Sequence, residues 1–356
     1  MSRAFIWIAL LLAGCAAFPA NEAGQLALRD RNDEVGMRAH GWALLARVAR
    51  TGLQGWHGLG ETFPSGRGRF RLVEEPDSAG VPLLQASGAP LLSSVLFNDV
   101  VFNHIRGEQL FSRARLTALN ASFGGATPLA ARQIAPFPRG SVALKTIWAV
   151  VHAAGTTRLS VWDGGGDPVH ANFPAAWPRQ IIVDPAGATP GAVALARFHH
   201  LRIGAADLAA VRAIDASAQA GDWLVLLGLH IATKEIPDWV WATYWWHDRP
   251  DEGAFAAGRP AALAGPWRNY LMDVSYSAET PREPDGAQNI AFNPYIEVFP
   301  AGTRSNCAAC HQGAVWTPSG APPFLPVRRG ARPADDPLFR TGTRLDFMWS
   351  IATEAR

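Results

Sequence analysis

The residues with the most chemistry in this chain stand together near its end, in Ser305-Asn306-Cys307-Ala308-Ala309-Cys310-His311. Two of the three cysteines are separated by two residues, and a histidine follows the second directly. Two thiols at this spacing add to two vinyl groups on one edge of a porphyrin, and the next residue places an imidazole under the iron. The pattern predicts one covalent haem c, with Cys307 and Cys310 as the thioethers and His311 as the proximal iron ligand. Two other chemistries use similar spacing. A redox dithiol normally opens a helix that follows a strand, with Trp or Pro around it. Here both the approach, FPAGTRSN, and the exit, QGAVWTPSGAPP, read as loops. A zinc site needs further Cys or His close by, and none follows His311.

The sixth iron position has several candidates. Met348 lies on an expected last helix within LDFMWSIATEA, where it also shares an apolar face with Leu345 and Ile351. His230 and His247 lie upstream, and each also fits a hydrogen-bonded core or surface histidine. Met272, in RNYLMDVSYS, is a further candidate, and an open or water-bound position completes the set. Arg304 and Arg268 are candidate partners for haem propionates, and either also fits a surface or ion-paired arginine.

What must hold such a group is unusual. A small cytochrome c carries its motif near its own N-terminus, with most of a domain downstream. Here the motif is followed by a Pro- and Gly-rich stretch and one short apolar segment. That is too little to wrap a haem, so the group is expected between the C-terminal tail and a larger domain before it.

That domain reads as α+β, sheet-centred and β-rich, with flanking helices and a short C-terminal haem-attachment segment. Residues 31–51 have helical apolar spacing through Met37, Trp42, Leu45 and Val48, closed by Gly52. Residues 96–117 read as a second helix, with His104 packed in it, and 204–218 as a third. RGSVALKTIWAVV, TRLSVWDGGG, WPRQIIVDPAG, GDWLVLLGLHIATK and DWVWATYWW read as strands, the fourth buried on both faces. A hairpin of the last two would put His230 and Lys234 near its turn and His247 at the far end. The crowded tryptophans at 162, 239, 241, 245 and 246 read mostly as sheet core. The expected divisions are 1–14, 15–95 (helical and linker), 96–300 (main domain) and 301–356 (haem segment).

The first fifteen residues, MSRAFIWIALLLAGC, have a charged start, an apolar run too short to span a bilayer, and a small-residue exit. Leu12-Ala13-Gly14-Cys15 resembles the bacterial lipobox, in which the cysteine thiol is lipidated. Ala16 after it, rather than Asp, favours the outer membrane by that resemblance. The alternative is an ordinary signal peptide cut near AAFPA. The expectation is a lipid-anchored protein on the periplasmic side of a bacterial membrane, with no disulfide framework because only Cys307 and Cys310 remain. A net charge of +2 without a dense basic block argues against nucleic acid as a partner.

Three stretches together resemble a family of exported bacterial monohaem cytochrome c proteins. They are Phe137-Pro138-Arg139-Gly140 running into Lys145-Thr146-Ile147-Trp148, the His230 to Lys234 segment, and Trp239, Trp241, Thr243, Tyr244 and His247. Cys307-x-x-Cys310-His311 closes the pattern, which covers roughly residues 95 to 350. The extra aromatic in TYWWH departs from it. The resemblance implies a haem protein built around a large non-cytochrome domain and carries no activity with it. The expected function is single-electron transfer with an unspecified redox partner protein. The alternatives are a haem enzyme acting on peroxide or a small oxidised or organic substrate at an open iron, with His247 and Asp248 or His230 and Lys234 as acid/base, and a haem-based sensor.

Overall fold

The computed structural model describes residues 33–64, 68–72, 89–162, 179–279, 291–297, 306–319 and 330–356. The expected signal peptide, Cys15 and Arg304 lie outside them. In chain order the elements are α1 (Glu34–Thr51), β1 (His57–Gly58), α2 (Leu59–Thr62), β2 (Arg71–Leu72), β3 (Leu92–Phe97), α3 (Asp99–Gly107), α4 (Arg113–Ser122), β4 (Val142–Val151), β5 (Thr157–Ser160) and β6 (Gln180–Val183). There follow β7 (His200–Arg202), α5 (Ala205–Arg212), β8 (Trp223–Thr233), β9 (Val240–Trp246), β10 (Tyr270–Ser275), α6 (Cys307–His311), β11 (Val315–Trp316), β12 (Thr343–Arg344) and α7 (Trp349–Glu354).

The fold is α+β and centred on one antiparallel sheet of eight strands, in the order β1-β3-β4-β8-β9-β10. Short β2 shares the β3 edge with β1, and β7 takes over the edge of β8 where β9 leaves it. The long β8, continuous in apolar residues, lies at the centre as its sequence predicts, and its hairpin with β9 closes at Thr233 and Val240. A bulge between Ile147 and Trp148 lets Leu227 stand unpaired in the β4–β8 ladder. Gly228 beside it has a packing reason: a Cβ there would come within 3.2 Å of Asn293 Oδ1.

Alternate residues of the strands feed two cores. One face packs under α1, whose Trp42, Leu45 and Val48 are fully buried. Asp33 caps α1 by accepting the Gly36 amide at 2.8 Å, and Tyr244 donates its hydroxyl to the Gly41 carbonyl. The other face meets α3, α4 and the C-terminal tail in a second cluster that includes Phe97, Val101, Ile105, Trp241, Cys307, Leu345, Met348 and Ile351. The tail is stitched to that side by its backbone. β11 pairs with β12, Ile134 donates to the Arg344 carbonyl at 3.0 Å, and Arg356 donates to Phe111 at 3.0 Å.

Several expected elements differ from those observed. The helix expected over 96–117 is the end of β3 followed by two helices. Asn98 accepts from Val101 and Ser112 from Arg115, so each caps a new start. The helix expected over 204–218 stops at Arg212, and Asp215 turns the chain by accepting the Ser217 amide at 3.0 Å. The last helix begins only at Trp349. A division after residue 95 would cut β3, a strand inside the sheet.

Candidate functional site

The Cys-Ala-Ala-Cys-His segment forms the single turn α6. Asn306 caps it by accepting the Ala309 amide at 2.8 Å, a contact worth about 1 kcal/mol. The turn presses on β9, where the His311 ring lies 4.2 Å from that of Trp241. His311 Nδ1 is 2.9 Å from the carbonyl oxygen of Phe347. A carbonyl only accepts, so Nδ1 carries the proton and the lone pair is on Nε2. Burial holds the imidazole pKa down to about 4, so the ring is neutral near pH 7.

The two thiols are free rather than joined. Burial, reinforced by the nearby Glu297 carboxylate, pushes Cys310 up to about 12 and Cys307 well above its ordinary value. A disulfide oxidoreductase needs the opposite shift, a thiolate at neutral pH. Among the described residues no cluster of three or more His, Cys, Asp or Glu is arranged to hold a metal ion. Two protonated thiols on one turn and an imidazole offering Nε2 are the donors that covalent haem requires.

The Phe347 carbonyl is held by an unusual corner. Asp346 (φ 45°) and Phe347 (φ 72°) are consecutive non-glycine residues in the left-handed region. Each such residue costs on the order of 1–3 kcal/mol and persists where its surroundings dictate it. Asp346 Oδ1 pairs with Lys234 Nζ at 2.6 Å, and Oδ2 accepts the Phe137 amide at 2.7 Å. Lys234 also donates to the Pro237 carbonyl at 2.6 Å and sits 5.4 Å from the centre of the Trp239 ring. Burial lowers the Lys234 pKa and raises that of Asp346, against their mutual attraction.

A polar row crosses the same sheet face. Lys145, His230, Thr243 and Asp273 are in register on β4, β8, β9 and β10. His230 Nε2 donates to Glu297 Oε1 at 2.7 Å, and Asn293 Nδ2 donates to Thr243 at 2.8 Å. Burial alone would raise the Glu297 carboxyl, but His230 and Lys145 hold it below its ordinary range. Burial lowers the half-buried Lys145, which has no hydrogen-bond or ion-pair partner among the described residues.

The structure gathers some of the candidates and scatters others. Cys307, Cys310 and His311 lie together, with His230 on the sheet face beneath them, but His230 commits Nε2 to Glu297. His247 stands past the end of β9, roughly 20 Å from Trp241 at the rise of a strand, and its Nδ1 accepts the Arg249 amide. It does not reach this site, and neither does Asp248. Arg268 is at that same far end, exposed and paired with Asp251, so it is not a propionate partner here. Met272 faces α1 across the sheet, next to Gly41. Met348 is buried with Leu345 and Ile351, and it directly follows Phe347, on the Nδ1 side of His311. His104 packs on Phe137 as expected, at 4.7 Å.

Asp346, Glu297 and Asp273 were not among the residues singled out from sequence. The available signal was a lone carboxylate in an apolar context, as in YLMDVS. Compared with known protein families, with curated proteins and with solved structures, the chain matches none of them.

Proposed function

We propose that this chain is a c-type haem protein that handles single electrons, with one haem held through Cys307 and Cys310 and His311 as the proximal ligand. The observation that carries this is the His311–Phe347 hydrogen bond, which fixes the tautomer with Nε2 free, in the same turn as two unjoined thiols. Haem c, when bound, supplies the one-electron Fe(III)/Fe(II) couple. The protein's own part is to hold the imidazole, wall it with Trp241 and keep both thiols reduced until attachment. Lipid anchoring through Cys15 on the periplasmic side of a bacterial membrane, a redox protein as partner and no nucleic-acid partner belong to the same proposal. The Cys-x-x-Cys-His spacing supports it.

A second reading, a haem enzyme with an open iron position, is favoured by one specific observation. His230 donates Nε2 to Glu297, Met348 stands in the proximal turn, and Met272 and His247 lie elsewhere, so none of the named sixth ligands is presented. The His230–Glu297 pair would then serve as the acid/base beside the open position.

One experiment tests both. The chain is exported with a haem c maturation system, and the denatured protein is assayed as its pyridine haemochrome. Covalent haem in the wild type, absent from the double variant Cys307→Ala/Cys310→Ala, is the expected result. Wild-type protein without covalent haem overturns the proposal. A reduced spectrum that ignores carbon monoxide supports electron transfer, and ready carbon monoxide binding supports the open site.

A further inference from the structure

We propose that Lys234 and Asp346 are positioning residues for the imidazole of His311, setting its tautomer through the Phe347 carbonyl. The role toward iron rests on the haem reading above; the role toward the tautomer does not. The Lys234–Asp346 pair sits at the left-handed residues that present the Phe347 carbonyl to Nδ1. Its two oxygens are both used, one by Lys234 at 2.6 Å and one by the Phe137 amide at 2.7 Å. Three distant stretches therefore meet at this corner: the lead into β4, the β8–β9 connection and the tail. The side chains are 8% and 10% exposed, so water does not substitute for either partner.

Stability is a poor reason for such a pair. Buried ion pairs are often no better than well-packed apolar residues, and their attested use is to specify one geometry. Here the geometry specified is the left-handed pair Asp346–Phe347, which an unconstrained chain avoids. With the corner fixed, Nδ1–H is held by the carbonyl and Nε2 keeps its lone pair. A hydrogen bond at the far nitrogen of a metal-bound imidazole also strengthens it as a donor. Through that bond, Lys234 and Asp346 favour the oxidised iron.

The variants are Asp346→Asn, which tolerates a positive φ and can still accept the Phe137 amide, and Lys234→Met, which keeps the bulk without the charge. Lys234→Arg restores the cation. The first readout uses protein made without haem: the ¹⁵N shifts of the His311 ring. The wild type and Lys234→Arg should show Nδ1–H alone, and the two neutral variants a mixture containing Nε2–H. The second readout uses the haem-loaded protein: the double variant Lys234→Met/Asp346→Asn, which leaves the net charge unchanged, should have a higher midpoint potential, and Lys234→Arg a wild-type one.

Should one neutral variant not fold, as judged by circular dichroism, the other decides. A folded neutral variant with the wild-type tautomer overturns the inference. So does Lys234→Arg behaving as Lys234→Met does. A wild type that shows the tautomer and takes up no haem sinks the haem proposal and leaves the positioning role standing.

Discussion

Two adjacent rows of the same sheet differ by one residue along each strand and have opposite character. Leu96, Leu144, Ile231, Ala242 and Val274 are in register on the face toward α1, and all are buried and apolar. The next row, on the other face, is Val95, Lys145, His230, Thr243 and Asp273. On the α1 side the strand hydroxyls satisfy one another, Ser94 and Thr146 meeting at 2.6 Å and Trp148 donating to Thr146 at 2.7 Å, and the buried His40–Glu235 pair lies at the helix rather than in the row. On the motif side Lys145, His230 and Asp273 are ionisable, and His230 pairs with Glu297 at 2.7 Å. Burying charge is costly unless it is paired, and paired charge rarely outperforms apolar packing. The first row is explained by stability. The second needs another reason, and the Cys-Ala-Ala-Cys-His turn above it supplies one.

The largest test of the contrast pits the two faces against each other. Cys307→Ala/Cys310→Ala should abolish the proposed covalent chromophore while leaving the circular dichroism spectrum intact. Trp42→Ala on the other face should do the reverse. It empties a fully buried site and should lower unfolding free energy by about 3–5 kcal/mol in a denaturant titration, with the visible spectrum unchanged. A chromophore lost with Trp42, or a fold lost with the cysteines, would show that the faces are not separable.

A smaller effect sharpens the comparison within the polar row. Lys145→Met removes a half-buried cation and keeps its length, so it should change stability by no more than about 1 kcal/mol, in either direction. Its effect should appear instead in the midpoint potential of the proposed haem, which should fall, because a positive charge near that iron would favour the reduced state. Equal loss of stability from Lys145→Met and Trp42→Ala would mean that the row is structural after all.

How much of this was legible in sequence follows the range of the interactions. The apolar run of β8 and the aromatic run of β9 specify their strands locally, and both were read correctly. The LLSSVLF strand was hidden because a capped helix begins directly after it, at Asn98, and the two patterns merge. The Cys-x-x-Cys-His spacing is local chemistry and was visible at once. The corner behind it was not. LDFMWSIATEA has helical spacing from Leu345, and neither Asp346 nor Phe347 is a glycine that would announce a left-handed turn. At that turn Asp346 pairs with Lys234, 112 residues away. The Glu297–His230 pair likewise joins residues 67 apart. Lys145, Lys234, Trp241 and Thr243 were named in the sequence pattern, but the partners that give them a role came only with the tertiary structure.

The smallest expected effect lies at the far end of the sheet, away from the motif. His199, just before β7, stacks on Trp267 at 4.5 Å, and its Nε2 has no hydrogen-bond partner among the described residues. Burial, then the neighbouring His200, lowers its pKa from 6.5 to about 4. The folded protein therefore refuses a proton that the unfolded chain accepts. Stability from this residue is fully present above about pH 6.5 and is lost as pH falls towards 4. His199→Phe keeps the stacking and removes the titration, so its stability should decline less steeply over that window in urea titrations at stepped pH. His311 has the same low value from the same first cause, burial, but there the hydrogen bond to the Phe347 carbonyl works the other way and raises it. A His199→Phe profile that parallels the wild type from pH 6.5 to 4 would mean that water reaches His199 and that the far end of the sheet is less closed than the motif end.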